Sequence, residues 1–352
     1  MSDFLTQLGW DAFFEQHFAP FRQKGLEPGR VAVESKGHYL VFTEKGEFTA
    51  EVTGRLIYRA KSRADYPKVG DWVALDILEN EKKAVIREIL PRKTKFSRKV
   101  KGEAVDEQVI ATNIDVVFVV QGLDQDFNPR RLERYLVLVL ESEAQPVVVL
   151  NKTDLCAVWP ERVEQAKQVA PGEPVLAVSA VTGFGLDELK AWIKPGETCA
   201  FIGSSGVGKS TLINKILGAD VLKTGEVRAK DRKGRHVTTR RELIVLPDGG
   251  CVIDTPGMRE LQLWSVEEGL HEAFPDIEAL AQNCHFSDCS HRHEIKCAVR
   301  EAVERGEISQ ERYHSFLKLQ DELAELERKR RALFDKKVPH KPPFRKRRKG
   351  RK

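Results

Sequence analysis

Residues 198–211, TCAFIGSSGVGKST, determine the fold class. The apolar run TCAFI is typical of a strand, the next eight residues fit G-x4-G-K-[ST], and the run STLINKILG that follows is helical in pattern. Strand, glycine-rich loop and helix in this order form the context that a P-loop requires. Backbone N–H groups of such a loop surround phosphates, the lysine reaches the β and γ oxygens, and the hydroxyl after it binds Mg²⁺. The predicted phosphate contacts are Gly203, Ser204, Ser205, Gly206, Val207, Gly208, Lys209, Ser210 and Thr211.

Apolar strands alternate with helices on the N-terminal side of this motif. IDVVFVV, PVVVLN and PVLAVS are separated by segments with helical spacing at 130–144 and near 160–170, and a further helix is expected near 186–193. Such alternation predicts a parallel sheet covered by helices on both faces. We therefore expect an α/β P-loop domain over residues 106–262.

Two base-recognition motifs precede the P-loop. Asn151, Lys152, Thr153 and Asp154 follow the strand PVVVL, and a carboxylate there accepts hydrogen bonds from the ring N–H and the exocyclic amine of guanine, a donor pair that adenine lacks. Ser179 and Ala180 end the next strand, where a backbone N–H meets the guanine oxygen. The sequence therefore predicts a GTP site.

A second magnesium-associated group lies downstream. In Asp254-Thr-Pro-Gly257 an aspartate ends the strand CVI, and the Gly257 N–H is predicted to reach the γ-phosphate. Base motifs before phosphate motifs are the reverse of the order in Ras-type GTPases. Because neighbours in a sheet need not be neighbours in sequence, a circularly permuted chain forms the same site.

The polar connection at 219–242 carries the remaining candidates. Thr238 is predicted to complete Mg²⁺ coordination, and His236 is the candidate for positioning the attacking water. Met258 stands where many GTPases have a glutamine, so the usual catalytic side chain is absent. Hydrolysis then depends on His236 or on a group that a partner supplies.

The N-terminal part predicts a helix followed by a barrel. Trp10, Phe14 and Phe18 recur at helical spacing within residues 1–29, and this helix is expected to pack on the next domain. Residues 30–91 contain five strand-like runs, VAVES, HYLVF, EFTAEVTGRLIY, DWVALDIL and KKAVIREIL, which suit an OB-fold. Residues 92–105 are a basic linker. One loop concentrates cations and aromatics, which suits either RNA or an ordinary solvated face: Arg55, Tyr58, Arg59, Lys61, Arg63, Tyr66 and Lys68.

A Cys/His cluster marks the C-terminal region, residues 263–334. Cys284, Cys289, His291 and Cys297 supply the ligand set of a closed, structural zinc site, one Zn²⁺ per chain, with His285 and His293 as possible substitutes and reduced cysteines in a loop as the alternative. The rest of the region is helical in pattern, with one long charged helix at 308–334.

Composition limits the remaining classes. The chain has 352 residues, 41% of them hydrophobic, without a membrane-length apolar run or a signal peptide, so a cytoplasmic location is expected. Residues 336–352 hold ten Lys/Arg and no acid. The tail, residues 335–352, is either an electrostatic handle for nucleic acid or a solubilising extension.

These motifs together resemble those of the ribosome small subunit-dependent GTPase A family, RsgA, also called YjeQ. The most specific marks are NKTD, GSSGVGKST, GRHVTT at 234–239, DTPG and the Cys/His cluster. The resemblance implies an N-terminal OB-fold, a circularly permuted GTPase domain, a zinc domain and late maturation of the small ribosomal subunit. Relatives commonly have threonine after the histidine where this chain has Val237, which makes Thr238 the safer magnesium ligand.

The partners predicted are GTP, GDP, the small subunit and its rRNA, with no membrane and a monomeric chain. One alternative is an RNA-docking module in which GTP only switches shape. Another is a permuted GTPase of large-subunit assembly, which usually has asparagine at the position of Gly206. Gly206 and the barrel argue against the latter.

Overall fold

A computed structural model describes residues 3–35, 37–99, 107–124, 126–219, 222, 241–254 and 267–337. The strands are β1 (Glu27–Ser35), β2 (His38–Thr43), β3 (Gly46–Val52), β4 (Trp72–Leu78), β5 (Lys83–Ile89), β6 (Lys95–Lys99), β7 (Glu107–Thr112), β8 (Val116–Gly122), β9 (Gln145–Asn151), β10 (Val175–Ala177), β11 (Thr198–Ile202), β12 (Glu242–Val245) and β13 (Cys251–Asp254). The helices are α1 (Asp3–Gln7), α2 (Ala12–Arg22), α3 (Gly54–Arg59), α4 (Pro129–Leu140), α5 (Trp159–Val169), α6 (Leu186–Lys190), α7 (Lys209–Leu217), α8 (Glu267–Ala273), α9 (Pro275–Ala281), α10 (Ala298–Glu304) and α11 (Gln310–Lys337).

The P-loop strand β11 lies inside a mainly parallel sheet. The order there is β10-β9-β8-β11-β13-β12, and only β12, at its end, runs antiparallel to its neighbour. All seven residues of β8 and all five of β11 are buried, as expected for strands covered on both faces. The carboxyl ends of β8, β9, β11 and β13 therefore meet at one edge. The predicted permuted α/β architecture is confirmed.

The N-terminal strands close a five-stranded barrel. The pairing runs β1-β2-β3-β5-β4 and returns to β1, where Gly29 pairs with Val73. The expectation that EFTAEVTGRLIY is one strand is wrong, because the strand ends at Val52 and α3 follows. Thr53 caps this helix, since its side chain accepts a hydrogen bond from the backbone N–H of Leu56 at 3.3 Å.

The barrel and the GTPase sheet form one continuous eleven-stranded sheet. They join where Val33 of β1 pairs with Glu242 of β12, the strand that follows the long polar connection. Helix α2 packs against β1 and β4, as predicted, with the ring centroids of Phe14 and Trp72 5.8 Å apart, and Trp10, which lies between α1 and α2, is 4.7 Å from Trp72. The buried guanidinium of Arg30 donates to the backbone oxygens of Leu8, Gly70 and Asn113. The junction is therefore held by apolar packing and by side-chain hydrogen bonds.

The segment predicted as a basic linker contributes a strand. β6 forms a two-stranded antiparallel ribbon with β7, in which Phe96 pairs with Ala111. Phe96 is buried, so the segment belongs to the packed structure.

Helices α8–α11 make up the C-terminal region, which confirms its predicted helical character. The long helix begins at Gln310, and α8 and α11 both contact α4 of the GTPase domain. Across the described residues, no helix combines the length and apolar character needed to cross a bilayer.

Candidate GTP site

The loop after β11 has the conformation of a phosphate-binding loop. Gly203, Gly206 and Gly208 have φ values of 143°, 86° and 99°, which residues with a side chain rarely adopt. A Cβ at Gly203 would lie 2.2 Å from the oxygen of Val120, and one at Gly208 would lie 2.3 Å from Nδ2 of Asn151. Glycine is therefore required at both ends of this loop by geometry as well as by φ.

Helix α7 starts directly at the loop. Gly208 is its N-cap, so the unpaired N–H groups of the first turn point toward the loop, where they favour an anion. Nζ of Lys209 donates to the oxygens of Gly203 and Ser204 at 2.8 and 2.6 Å, which places the ammonium over the loop. Ser210 is the second residue of α7, in the first turn that follows the loop.

Asn151 connects the base-recognition loop to the P-loop. It is 2% exposed, its Nδ2 donates to the oxygen of Val207 at 2.8 Å, and its Oδ1 accepts from the N–H of Ala180 at 3.0 Å. Both polar atoms of the side-chain amide thus form hydrogen bonds within the protein, and one N–H of the amide is left for a ligand. The role of Asn151 as a guanine contact stays a prediction.

Asp154 and Ser179 form the part of the site suited to the guanine edge. Oγ of Ser179 donates to Oδ1 of Asp154 at 2.5 Å and accepts from the N–H of Thr182 at 3.1 Å. Ser179 is fully buried, whereas Asp154 is exposed. The carboxylate is therefore oriented from behind by the serine, and its exposed side faces solvent, from which a base can approach.

Asp124 belongs to the site and was missed by sequence reasoning. It follows β8, and its Oδ2 accepts from Nζ of Lys152 at 2.5 Å. Burial raises the pKa of Asp124, but the hydrogen bond and charge of Lys152, together with backbone N–H donors such as that of Asp126, outweigh burial and hold the pKa below its usual value. The signal available in the sequence was an acid just beyond the end of a buried strand next to the NKTD strand.

Asp254 ends β13, beside the P-loop strand, since its neighbour Ile253 pairs with Ala200. The structure therefore places this carboxylate at the same sheet edge as the loop. The other predicted groups of this part of the site, Thr238, His236 and Gly257, lie outside the described residues, as does Met258.

A second candidate site is the Cys/His cluster. The ligand atoms of Cys284, Cys289, His291 and Cys297 lie within 4.8 Å of one another, while His285 and His293 are not part of the group. Nδ1 of His291 is 3.6 and 3.5 Å from the sulfurs of Cys284 and Cys297, which are 3.9 Å apart. A tetrahedral zinc ion with bonds of about 2.0–2.3 Å separates its ligand atoms by about 3.5–3.8 Å. The predicted group of possible metal ligands is present, and the separations among Cys284, His291 and Cys297 are close to those around a zinc ion.

Two features of His291 favour metal binding: the pKa of its side chain and the hydrogen bond to its backbone. Burial lowers the pKa of its imidazole, which favours the neutral form that binds metals. Its backbone oxygen accepts from the hydroxyl of Tyr313 of α11 at 2.6 Å. The cluster is thereby attached to the long helix.

Comparison with known proteins identifies the family. Residues 89–264 match the RsgA GTPase family. A small ribosomal subunit biogenesis GTPase RsgA of Opitutus terrae is 47% identical over 91% of this chain and 90% of its own length. The chain belongs to the RsgA GTPase family. It is therefore a GTPase, a hydrolase acting on GTP. The family membership predicted from the sequence motifs is confirmed.

Other RsgA relatives agree across the same span. RsgA 2 of Lactiplantibacillus plantarum is 48% identical over 86% of this chain and 85% of its own length. Among solved structures, YjeQ from Thermotoga maritima has a TM-score of 0.65 at 28% identity, covering 85% of this chain and 99% of that protein. YloQ, a circularly permuted GTPase, has a TM-score of 0.62 at 26% identity, with 85% and 96% covered.

A buried ionic network joins the RsgA GTPase domain to the C-terminal helices, and no sequence motif indicated it. Arg312 of α11 donates to Glu133 of α4 at 3.0 Å and to both carboxylate oxygens of Asp276 at 2.6 Å. Burial lowers the pKa of Arg312, but hydrogen bonds to Asp276 and the charges of Asp276 and Glu133 raise it above its usual value. Arg130 donates to Glu133 at 2.6 Å.

Proposed function

We propose that this GTPase binds the small ribosomal subunit through its rRNA and assists a late step of its maturation. The observation that carries the proposal is the near-full-length similarity to several proteins named as small ribosomal subunit biogenesis GTPases. The described fold supports it, since a barrel of the kind that binds nucleic acid is joined by a sheet to the GTPase domain.

The base pocket follows from the geometry of Asp154 and Ala180. The Asp154 carboxylate accepts from the ring N–H and amine of guanine, and the N–H of Ala180 is assigned to share its hydrogen between the guanine oxygen and Oδ1 of Asn151. Asn151 fixes the position of this pocket relative to the P-loop, because its side-chain amide hydrogen-bonds to both Val207 and Ala180. Lys152 lies alongside, held by Asp124. GTP is thereby selected over ATP by hydrogen-bond pattern.

The phosphate end combines backbone donors and Lys209. We place the β-phosphate within the loop from Gly203 to Thr211 and the γ-phosphate near the N–H of Gly257. Mg²⁺, when bound, neutralises charge that develops on the phosphate oxygens, and the residues assigned to hold it are Ser210, Thr238 and Asp254. Nζ of Lys209, which donates to two loop oxygens, moves to the phosphates when GTP binds.

The sequence lacks the glutamine that positions the attacking water in many GTPases. Met258 cannot orient a water molecule, and His236 lies in a long basic connection that ends directly at β12. We assign water positioning to His236 and its ordering to the bound subunit. Completion of a GTPase site by a partner changes turnover by roughly 10³–10⁵.

The Cys/His cluster is assigned to one structural Zn²⁺. Cys284, Cys289, His291 and Cys297 fill a tetrahedral shell, which leaves no open position for chemistry. Zinc binding here stabilises the C-terminal region that carries Arg312 and Tyr313. The protein is proposed to act as a cytoplasmic monomer, with its basic tail, residues 335–352, as an additional contact for rRNA phosphates.

The deciding experiment measures steady-state GTP turnover by the protein alone, with purified small subunits and with large subunits. We expect slow intrinsic turnover and stimulation by small subunits only. The His236→Ala variant is measured in parallel and should lose most of the stimulation while retaining GTP binding. Equal turnover in all three conditions, with no co-sedimentation with small subunits, would reject the proposal.

A further inference from the structure

The outward face of α3 on the barrel is built for contact with a partner. Tyr58 is 92% exposed and the neighbouring Ile57 is 50% exposed. Arg55 lies three residues before Tyr58 and four before Arg59, so the helical spacing makes Arg55 a neighbour of each and places the three side chains within an arc of about 100°. Large aromatic side chains usually bury most of their surface, so this arrangement indicates binding.

The helix beneath this face is rigidly supported. Leu56, on the opposite side of α3, is 7% exposed and packs in the barrel core. Asp65 accepts from the N–H groups of Lys61 and Ser62 at 2.8 and 2.9 Å, and Ser62 completes a capping box. The loop that follows α3 is therefore fixed by its own hydrogen bonds.

Arg92 ties the same loop to the barrel. It donates to the oxygens of Ala64 and Tyr66 at 3.0 and 3.2 Å and makes two hydrogen bonds of 2.8 Å to the buried carboxylate of Asp71. Thr112 of β7 donates to Asp71 as well, at 2.7 Å. An exposed aromatic side chain on such a support loses little entropy when it binds.

The charge around Tyr58 favours nucleic acid as the partner. Residues 53–66 contain four basic side chains and one acidic one, Asp65, which its own loop engages. Arg59 makes a 3.5 Å ion pair with the exposed Glu88. In the part of the chain that the structure describes, Arg55, Lys61 and Arg63 form no ion pair. The segment that carries Tyr58 thus offers three exposed cations without an ion pair among the described residues, and Arg59 adds a fourth whose solvent-exposed pair with Glu88 is weak.

We infer that Tyr58 stacks on an unpaired base of the RNA while Arg55 and Arg59 hold the adjoining phosphates. A tyrosine ring offers a π-face to any base, and such stacking is largely independent of sequence. A base within a duplex is stacked on its neighbours and does not present that face. The inference rests on the proposed function and specifies its RNA contact as single-stranded.

The test uses the full-length protein with an unstructured RNA of about 12 nucleotides, within the site sizes of OB-folds, and the same RNA annealed to its complement. Affinities are measured for the parent, Tyr58→Ala, Tyr58→Trp and Ile57→Ala. Stacking predicts that Tyr58→Ala weakens single-strand binding by about 5- to 150-fold, that Tyr58→Trp retains it, and that the matched Ile57→Ala control changes it little. Duplex binding, which depends on phosphates, should respond weakly to all three.

Two outcomes overturn the inference. One is equal weakening of single-strand and duplex binding, and the other is a Tyr58→Ala variant that binds single strands as the parent does. Melting temperature and intrinsic GTP turnover should be unchanged in Tyr58→Ala, which separates a missing stacking interaction from a damaged fold. Co-sedimentation with small subunits distinguishes the two proposals: failure of the parent to bind rejects the proposed function, whereas parental binding by Tyr58→Ala rejects only the stacking.

Discussion

Arg312 and Glu133, 179 positions apart in sequence, form a 3.0 Å ion pair in which the two side chains are 6% and 0% exposed. The pair joins the long C-terminal helix to α4, the helix that follows β8 and therefore starts at the nucleotide edge of the sheet. The guanidinium of Arg312 also donates hydrogen bonds to Asp276 and to the backbone oxygen of Ala273. It lies 4.5 Å from the ring centre of Phe274. Arg312 thus connects α11 both to α4 and to the start of α9, in addition to the ion pair between Arg134 and Glu322.

Replacement of Arg312 by alanine is expected to destabilise the protein by about 3 kcal/mol, because it removes one of the two cations that compensate the buried Glu133 carboxylate and leaves Arg130 and the Ser315 hydroxyl as its partners. Chemical denaturation followed by circular dichroism measures the effect. The control is Arg305→Ala, which removes an exposed ion pair with Glu307 and should change stability little.

A second variant tests the cause of that destabilisation. Adding Glu133→Gln to Arg312→Ala should recover part of the stability, since the uncompensated charge is gone. If Arg312→Ala unfolds like Arg305→Ala, the network does not hold the regions together.

Replacement of Asp154 by asparagine should weaken GTP binding by 100-fold or more, on the order of 3 kcal/mol, because an amide presents a donor to the amine of guanine. The same change should improve binding of xanthosine triphosphate, whose carbonyl at that position accepts. Ser179→Ala, which removes the hydrogen bond behind the carboxylate and the one accepted from the N–H of Thr182, should cost about tenfold. Titration with fluorescent nucleotides measures all three, and an unchanged preference for GTP in Asp154→Asn would exclude the assigned base pocket.

One zinc per chain is expected by elemental analysis of the purified protein. Its affinity should fall as pH falls, because protons compete for the thiolates of Cys284, Cys289 and Cys297. Cys289→Ser should lower both zinc content and the melting temperature, whereas Cys156→Ser, outside the cluster, should lower neither. Zinc content near zero in the parent, or retained in full by Cys289→Ser, contradicts the site.

Deletion of residues 336–352 should reduce the salt dependence of small-subunit binding. Ten Lys/Arg leave with this segment, and the slope of log K against log salt becomes shallower by roughly 0.7–0.9 for each phosphate that the shortened protein no longer neutralises. Affinity is measured across a series of salt concentrations. An unchanged slope would assign the tail to solubility.

The sequence predicted those parts of the site whose residues lie close together along the chain. The P-loop glycines, NKTD and the Cys/His cluster are of this kind. A local pattern does not contain contacts between distant segments. Such contacts include the hydrogen bonds of Asn151 to Val207 and Ala180, the pairing of Asp124 with Lys152, and the Arg312 network. The error at α3 has a related cause: the apolar residues of GRLIYR suit a strand as well as a helix, and the Thr53 cap decides between them.

The last prediction separates two reasons for glycine in the P-loop. Gly206 and Gly208 both have positive φ, 86° and 99°, so alanine strains the backbone at either position. They differ in surroundings: a Cβ at Gly206 meets nothing within 4 Å, whereas a Cβ at Gly208 lies 2.3 Å from Nδ2 of Asn151. Gly206→Ala therefore serves as the matched control for backbone strain.

Gly208→Ala should weaken guanine binding as well as phosphate binding, because the displaced Asn151 amide also holds the N–H of Ala180 in the base pocket. Comparing GDP with guanosine, which has no phosphate, isolates the base. Guanosine affinity should fall in Gly208→Ala and stay near the parental value in Gly206→Ala, although both variants bind GDP more weakly than the parent. Equal guanosine affinities in the two variants would show that the P-loop and the base pocket are independent, and that the Asn151 bridge at 2.8 and 3.0 Å does not couple them.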